Sequence, residues 1–164
     1  MPARLSEFEL IGKIARAAGA RHARVPLGIG DDAALVRPKP GFDLVAAADA
    51  QVEGVHFRRR RLKSAAIGWK ALAVNLSDLA AMGAAPLACL SSVAAPASWN
   101  GEELLKIHQG IVACGRRYGC PLVGGNFSKA PPGSALQIHV TVLGEVGKGR
   151  ALLRAGAGPG DDVW

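Results

Sequence analysis

The sequence predicts an α/β (α+β) sandwich, a mixed β-sheet covered by two long helices, and three observations carry that reading. Residues 67–82 are an unbroken run of good helix formers, mostly Ala and Leu, with no proline. A second long helix opens at residues 98–100, where Asn100 and Glu103 form a capping box, and it closes at Tyr118-Gly119. Between and after these stretches lie short apolar segments bounded by Gly and Pro, the clearest of which, residues 135–142, alternates with a period of two.

Taken in order, Ser6 with Glu9 is a capping box that starts a first helix over residues 7–18, stopped by Gly19. A glycine-rich loop follows, VPLGIGDDAALV, and Pro38, Pro40 and Gly41 mark a turn. Residues 43–48 read as a buried strand and residues 52–57 as an extended segment after it. The 67–82 helix carries Leu72, Val74, Leu76, Leu79 and Met82 on nearly every face, which predicts burial all round. Residues 87–93 form a strand. In the next helix Leu104, Ile107, His108 and Ile111 share one face, which reads as a packed core histidine in preference to a ligand. Residues 121–125 (PLVGG) are a short strand running into a glycine turn. In 135–142, Leu136, Ile138, Val140 and Val142 point inward while Gln137, His139 and Thr141 point outward, so one face of that strand is open or paired to something else. After a turn at 156–160, Asp161-Asp162-Val163-Trp164 reads as the opening of another strand, and the chain is expected to be the first part of a longer protein.

Composition narrows the function classes. With 164 residues, 49% hydrophobic and 20% charged, the chain is long enough for one domain with a real core. No apolar run reaches the length of a membrane span once Lys70, Asn75 and Asp78 are counted, and the first ten residues lack the apolar centre of a signal peptide. Cys89, Cys114 and Cys120 have no CxxC spacing, which fits a reducing cytoplasm and argues against a zinc site or a disulfide framework. The net charge of +7 suggests an anionic partner. Arg58, Arg59, Arg60, Arg61 and Lys63 form one block, either a solvated loop or a loop that meets phosphate. Nucleic acid is not expected, because only 5% of the residues are aromatic and stacking platforms are scarce.

The acids carry the chemistry. Gly28-Ile29-Gly30-Asp31-Asp32-Ala33 fits the spacing of a dinucleotide fingerprint, but two carboxylates stand where pyrophosphate would lie, and like charges that close repel strongly. A phosphate could approach only with a divalent cation between. No G-x-x-x-x-G-K-[ST] run exists, which excludes a P-loop. Asp31 and Asp32 sit in a glycine loop, Asp49 ends a strand and Asp78 interrupts a helix, none with a Lys or Arg partner close in sequence. A carboxylate in an apolar helix is costly unless paired or metal-bound, so Asp78 either faces water through a gap or points into a site. Oxygen ligands from separated segments suit magnesium, with waters and phosphates completing its shell. Together with Gly124-Gly125, where backbone can approach a phosphate, the pattern reads as metal-assisted phosphoryl chemistry.

GIGDDAA, VEGVHF, GWKALAVNLSDLAAMGAAP, LVGG and GRALLRAGAGPGD, in this order and spacing, resemble thiamine-monophosphate kinase. The motifs cover nearly the whole chain and correspond to the amino-terminal half of such an enzyme. The wider superfamily is similar to aminoimidazole ribonucleotide synthetase and selenophosphate synthetase. The resemblance implies a first domain (residues 1–155) whose sheet pairs with that of a second subunit in a homodimer, and residues 156–164 leading to a carboxyl-terminal domain. It implies ATP-dependent phosphorylation of thiamine monophosphate to the diphosphate, with several magnesium ions. Carried over residue by residue, Asp31, Asp32, Ala48, Asp49, Asp78 and Asn126 fall at magnesium, Gly125, Asn126 and Arg154 at ATP, and His56 near the substrate.

The chain departs from the family pattern at two places. A hydroxyl-bearing pair usually precedes the strand aspartate, and here it is Ala47-Ala48. The usual Gly-Gly-Asp-Thr-Thr-Arg is Gly124-Gly125-Asn126-Phe127-Ser128-Lys129 here. Asn126 still offers a carbonyl oxygen but no charge, and losing one anion and two hydroxyls weakens metal binding. A GGN turn also occurs in the formylglycinamidine ribonucleotide synthetase group. Three readings therefore stand: the kinase, a non-catalytic nucleotide-binding or dimerisation module, and a related synthetase with another substrate.

Overall fold

Ser6 opens the first helix, α1 (Glu7–Ala18), by accepting the Glu9 N–H at 3.3 Å while the Glu9 carboxylate accepts the Ser6 N–H at 2.8 Å. The reciprocal bonds satisfy two donors that the helix itself leaves free. The computed structural model describes residues 6–19, 22–156 and 158–162, so the expected strand opening at Val163-Trp164 lies outside the described residues. After α1 come β1 (Phe42–Val52), α2 (Ser64–Ala81), β2 (Ala85–Ala95), α3 (Gly101–Tyr118), β3 (Leu122–Lys129), β4 (Gln137–Gly147) and a 3-10 turn, Arg154–Gly156.

The strands form one mixed sheet in the order β1-β4-β2-β3. β4 is antiparallel to both its neighbours, and β2 and β3, joined through α3, run parallel. Residues opposite one another across a ladder project to the same side. Ile138, Val140 and Val142 are fully buried against the helices, and their β1 partners Gln51, Asp49 and Ala47 share that face. The other face carries Ala46, Ala48 and Ala50 of β1 with Leu143, Thr141 and His139 of β4, and no helix covers the alanines, of which Ala46 and Ala48 are exposed. The predicted α/β class, with two long helices over a mixed sheet, is the fold observed.

α2 and α3 lie in backbone contact. A Cβ on Gly68 would sit 1.8 Å from the Ile107 carbonyl oxygen, and one on Gly110 would sit 1.9 Å from that of Ala65. Only glycine allows this approach. The same geometry corrects the expectation that α2 is buried all round. Its buried residues are Ile67, Gly68, Ala71, Leu72, Asn75, Leu76 and Leu79, a single stripe at helical spacing. Trp69, Ser77, Asp78, Ala80 and Ala81 are exposed. Alanine is at home on either side of a helix, so an Ala-rich sequence overstates the buried arc.

Three further expectations need correction. β1 is one eleven-residue strand, so Asp49 lies inside it and not at its end. Residues 53–57 turn back, with Gly54 N–H donating to the Phe57 carbonyl at 2.8 Å. Gly124 and Gly125 belong to β3 and pair with Leu90 and Ser91, so they are strand and not turn. A Cβ on Gly125 would meet the Ser91 carbonyl oxygen at 1.9 Å, so the parallel pair closes there on a glycine. The basic block is not wholly solvated either: Arg59 pairs with Glu103, donates to the Ser98 carbonyl at 2.9 Å and lies over the Trp99 ring. Among the described residues, no helix is long and apolar enough to cross a membrane.

Gly110→Ala is expected to destabilise the protein by roughly 1–3 kcal/mol through overpacking of the α2–α3 crossing. Urea unfolding checks this, with Gly12→Ala, where a Cβ meets only an arginine side chain at 3.7 Å, as the tolerated control.

Candidate functional site

A cleft of about 990 Å³ opens at the β3 edge of the sheet, between α1, the acidic loop and strand β3. Asp31 and Asp32 stand on one side of it and Gly124, Gly125 and Asn126 on another, with Ser92, His139 and Thr141 at its floor and Phe8 and Ile11 on the α1 wall. The acidic loop is a hairpin-like excursion: Arg37 N–H donates to the Arg24 carbonyl and Leu35 N–H to that of Leu27, both at 2.9 Å. Gly30 at its tip has φ 137°, a backbone conformation suited to glycine. Val25, Ala34 and Val36 pack it against Ala88, Leu90 and Val123 on the sheet.

At the neck of this excursion stands Glu145 of β4, 3% exposed. Its carboxylate accepts both terminal nitrogens of Arg24, and it also accepts the Lys39 N–H at 2.9 Å. Arg24 donates in addition to the Arg37 carbonyl from Nε at 2.9 Å. The Arg24 hydrogen bonds hold the Glu145 carboxyl down at about 2, against the opposing effect of burial. Beneath the cleft, His108 is buried, with Nδ1 2.8 Å from the Leu104 carbonyl oxygen. A carbonyl only accepts, so Nδ1 carries the proton and Nε2 is left to accept from the Ser91 hydroxyl at 3.5 Å. Burial pushes the imidazole pKa down, which keeps the ring neutral.

The structure brings together four of the residues singled out from sequence: Asp31, Asp32, Gly125 and Asn126 line the one cleft. Ala48 lies on the same sheet face, opposite Thr141, but outside the lining. Asp49 faces the helix side from the edge strand β1, and it is exposed. Asp78 is exposed near the end of α2, so the costly buried carboxylate inferred from sequence does not exist in this chain. His56 is exposed in the turn after β1, and its Nδ1 accepts the Val52 N–H at 3.0 Å. Arg154 is exposed on the 3-10 turn. Sequence reasoning missed Arg24 and Glu145. The signal was present, since the alternation that turns Thr141 outward also turns Leu143 and Glu145 to that face.

The donors suit a hard cation in type. Among the described residues no Lys or Arg forms an ion pair with Asp31, Asp32, Asp49 or Asp78. Asp31 accepts only the Asp32 N–H, at 2.8 Å, within the hydrogen bonds of that loop. Three or more such side chains are nowhere gathered into a metal-holding group among the described residues.

The chain thus combines a four-stranded mixed sheet under two long helices with a cleft that two aspartates and a glycine-containing strand line together. Residues 30–146 match the AIR synthase related protein, N-terminal domain, and the chain belongs to that family. It is 40% identical over 160 residues to the thiamine-monophosphate kinase of Bacillus subtilis, covering 98% of this chain and 48% of that protein. The crystal structure of thiamine-monophosphate kinase from Stenotrophomonas maltophilia aligns with a TM-score of 0.75 at 40% identity, covering 91% of this chain and 45% of the other. AaThiL complexed with AMPPCP and TMP aligns with a TM-score of 0.61 at 33% identity, covering 90% and 45%. The chain thus spans about half the length of the relatives it matches.

Glu145 sets a pH dependence. A carboxylate lowered from 4.5 to about 2 contributes stability that is fully present above pH 4.5 and is lost as pH falls through about 2. The melting-temperature advantage of the wild type over Glu145→Gln should therefore be constant above pH 4.5 and shrink toward pH 2 in thermal melts across that range.

Proposed function

We propose that this chain is the amino-terminal ATP- and magnesium-binding domain of a kinase that phosphorylates thiamine monophosphate to thiamine diphosphate. The observation that carries this reading is the meeting of Asp31 and Asp32 with Gly125 and Asn126 in one cleft. The relatives named thiamine-monophosphate kinase supply the substrate. Residues 1–155 form this domain, and residues 156–164 lead toward a second domain that completes the cleft. In the reaction the bond from the terminal phosphorus of ATP to its bridging oxygen breaks. A phosphate oxygen of thiamine monophosphate forms the new bond to that phosphorus, and ADP leaves. Phosphoryl transfer asks the protein mainly for alignment and charge neutralisation.

Asp31 and Asp32 would hold magnesium from the loop, with Asp49, Asp78, the Ala48 carbonyl and the Asn126 side-chain oxygen as further donors. Magnesium, when bound, neutralises phosphate oxygens and draws them into line. Gly125 lets the β3 backbone come close to the nucleotide, Arg154 offers a cation to its phosphates, and His56 presents its free Nε2 toward the thiamine substrate. The protein acts as a cytoplasmic homodimer, joined through the sheet face that carries Ala46, Ala48 and Ala50. Asn126 in place of a charged ligand favours a second reading, a nucleotide-binding module without turnover.

The full-length protein with ATP, thiamine monophosphate and millimolar magnesium should yield thiamine diphosphate in a coupled assay, and a folded dimer that makes none would sink the kinase reading. A monomeric mass in light scattering would remove the dimer. Asp32→Asn should weaken magnesium-dependent nucleotide binding roughly 10- to 100-fold, as loss of a ligand-setting group commonly does. Asp78→Asn should also weaken it while leaving stability within about 0.5 kcal/mol, as expected of an exposed side chain. Calorimetry with a nonhydrolysable ATP analogue reads both.

A further inference from the structure

We propose that Arg24 and Glu145 are positioning residues that clamp the neck of the acidic loop and hold Asp31 and Asp32 at the cleft. The proposal rests on the reading of those two aspartates as magnesium ligands. Neither Arg24 nor Glu145 lines the cleft, so any effect on the reaction passes through the loop.

The loop leaves the body at Arg24 and returns at Lys39, and one buried carboxylate binds both ends. Glu145 accepts the two terminal nitrogens of Arg24 at the outgoing end and the Lys39 N–H, 2.9 Å away, at the returning end. The Lys39 ammonium adds a second cation at 3.6 Å. Arg24 also joins the ends directly, donating from Nε and Nη2 to the Arg37 carbonyl at 2.9 Å each. Beyond the neck, the loop is held by the small cluster of Val25, Ala34 and Val36 on Ala88, Leu90 and Val123. Asp31, Asp32 and Ala33 at the tip are exposed, and the Asp31 carboxylate binds only its neighbour's N–H among the hydrogen bonds of the described residues. Ile29 on the main core and Ala34 on the small cluster hold the loop on either side of the two carboxylates, and the neck sets how its two strands enter and leave.

Removing the Glu145 charge leaves Arg24 and Lys39 facing each other without their anion. Both cations reach water, so what is lost is the tie between the two ends of the loop, whereas removing Arg24 strands the Glu145 carboxylate, 3% exposed, without its main partner. The resulting displacement falls on the loop, since β4 is held on both sides by β1 and β2. A bidentate guanidinium–carboxylate pair also fixes direction, which a lysine in place of Arg24 would not reproduce.

The test uses the full-length protein carrying Glu145→Gln, Arg24→Gln or Arg24→Lys. The expected result is a rise of about tenfold in the magnesium and ATP concentrations for half-maximal rate, the size of a coupling of about 1.4 kcal/mol. The KM for thiamine monophosphate should stay within about twofold, because His56 lies outside the loop. Hydrogen exchange should quicken at residues 25–37 in all three variants and remain unchanged in α2 and α3. Equal rises in every kinetic constant, or exchange quickened uniformly across the sheet, would reduce the pair to a general stabiliser and overturn the proposal. Unchanged exchange in the loop would overturn it as well. Should the wild type lack kinase activity, the functional reading fails, and the clamp is then judged on loop exchange and on magnesium binding in calorimetry. Should Glu145→Gln or Arg24→Gln not fold, Arg24→Lys decides, since it keeps a cation beside the buried carboxylate while losing the bidentate geometry.

Discussion

The close crossing of α2 on α3 is the constraint from which the rest of the arrangement follows. Gly68 and Gly110 let the two backbones touch, so both helices fit side by side over one face of a four-stranded sheet. Ile67, Leu72 and Leu79 of α2 and Ile107 and Ile111 of α3 then bury together with Ile138, Val140 and Val142 of β4. With wider helix spacing that inner face could not be covered at interior density. The whole helical layer is thus spent on one side of the sheet. The other side is left for something else to cover.

That other side is where the acidic loop lands. It covers the β2–β3 part of the face through a small apolar cluster and leaves Ala46 and Ala48 of β1 exposed. The two parts answer different needs. Small side chains on an edge strand permit close approach by another sheet, whereas the β2–β3 part presents polar groups and a glycine backbone to a cleft. Glu145, a strongly buried charge on this face, stands where loop and sheet meet. A carboxylate buried there is tolerable because Arg24 and a backbone N–H satisfy it from the loop, so the loop and the charge account for each other.

Much of this was legible in the residues. Both capping boxes, the ends of α3 and the inward set Leu136, Ile138, Val140 and Val142 follow from local chemistry, and local chemistry is what a sequence states directly. The misreadings have a common origin. The sequence of α2 reads as buried all round because alanine does not declare a side, and Gly124-Gly125 reads as a turn because glycine does not declare its reason. In both cases the deciding fact was a partner distant in sequence: Ile107 against Gly68, and Ser91 against Gly125. The role of Glu145 was hidden for the same reason, since its partner Arg24 is 121 residues away.

The fate of Asp78 shows how an argument from cost depends on burial. The premise was cost: a carboxylate inside an apolar helix should be unstable without a partner. In the structure it is exposed and carries no such burden. The case for it as a ligand then rests on resemblance alone, and Asp49 is in the same position. Asp31 and Asp32 differ, because they line the same cleft as Gly125 and Asn126. If one or two carboxylates with phosphate and water suffice for magnesium, the loop pair can begin the site by itself. Asp49 and Asp78 would then join only when a nucleotide, or the second half of the cleft, brings charge to their side of the sheet. On that view the loop is the fixed part of the metal site and its anchorage decides where the first ion can sit, which is why the charge that holds its neck matters more than its distance from the cleft suggests.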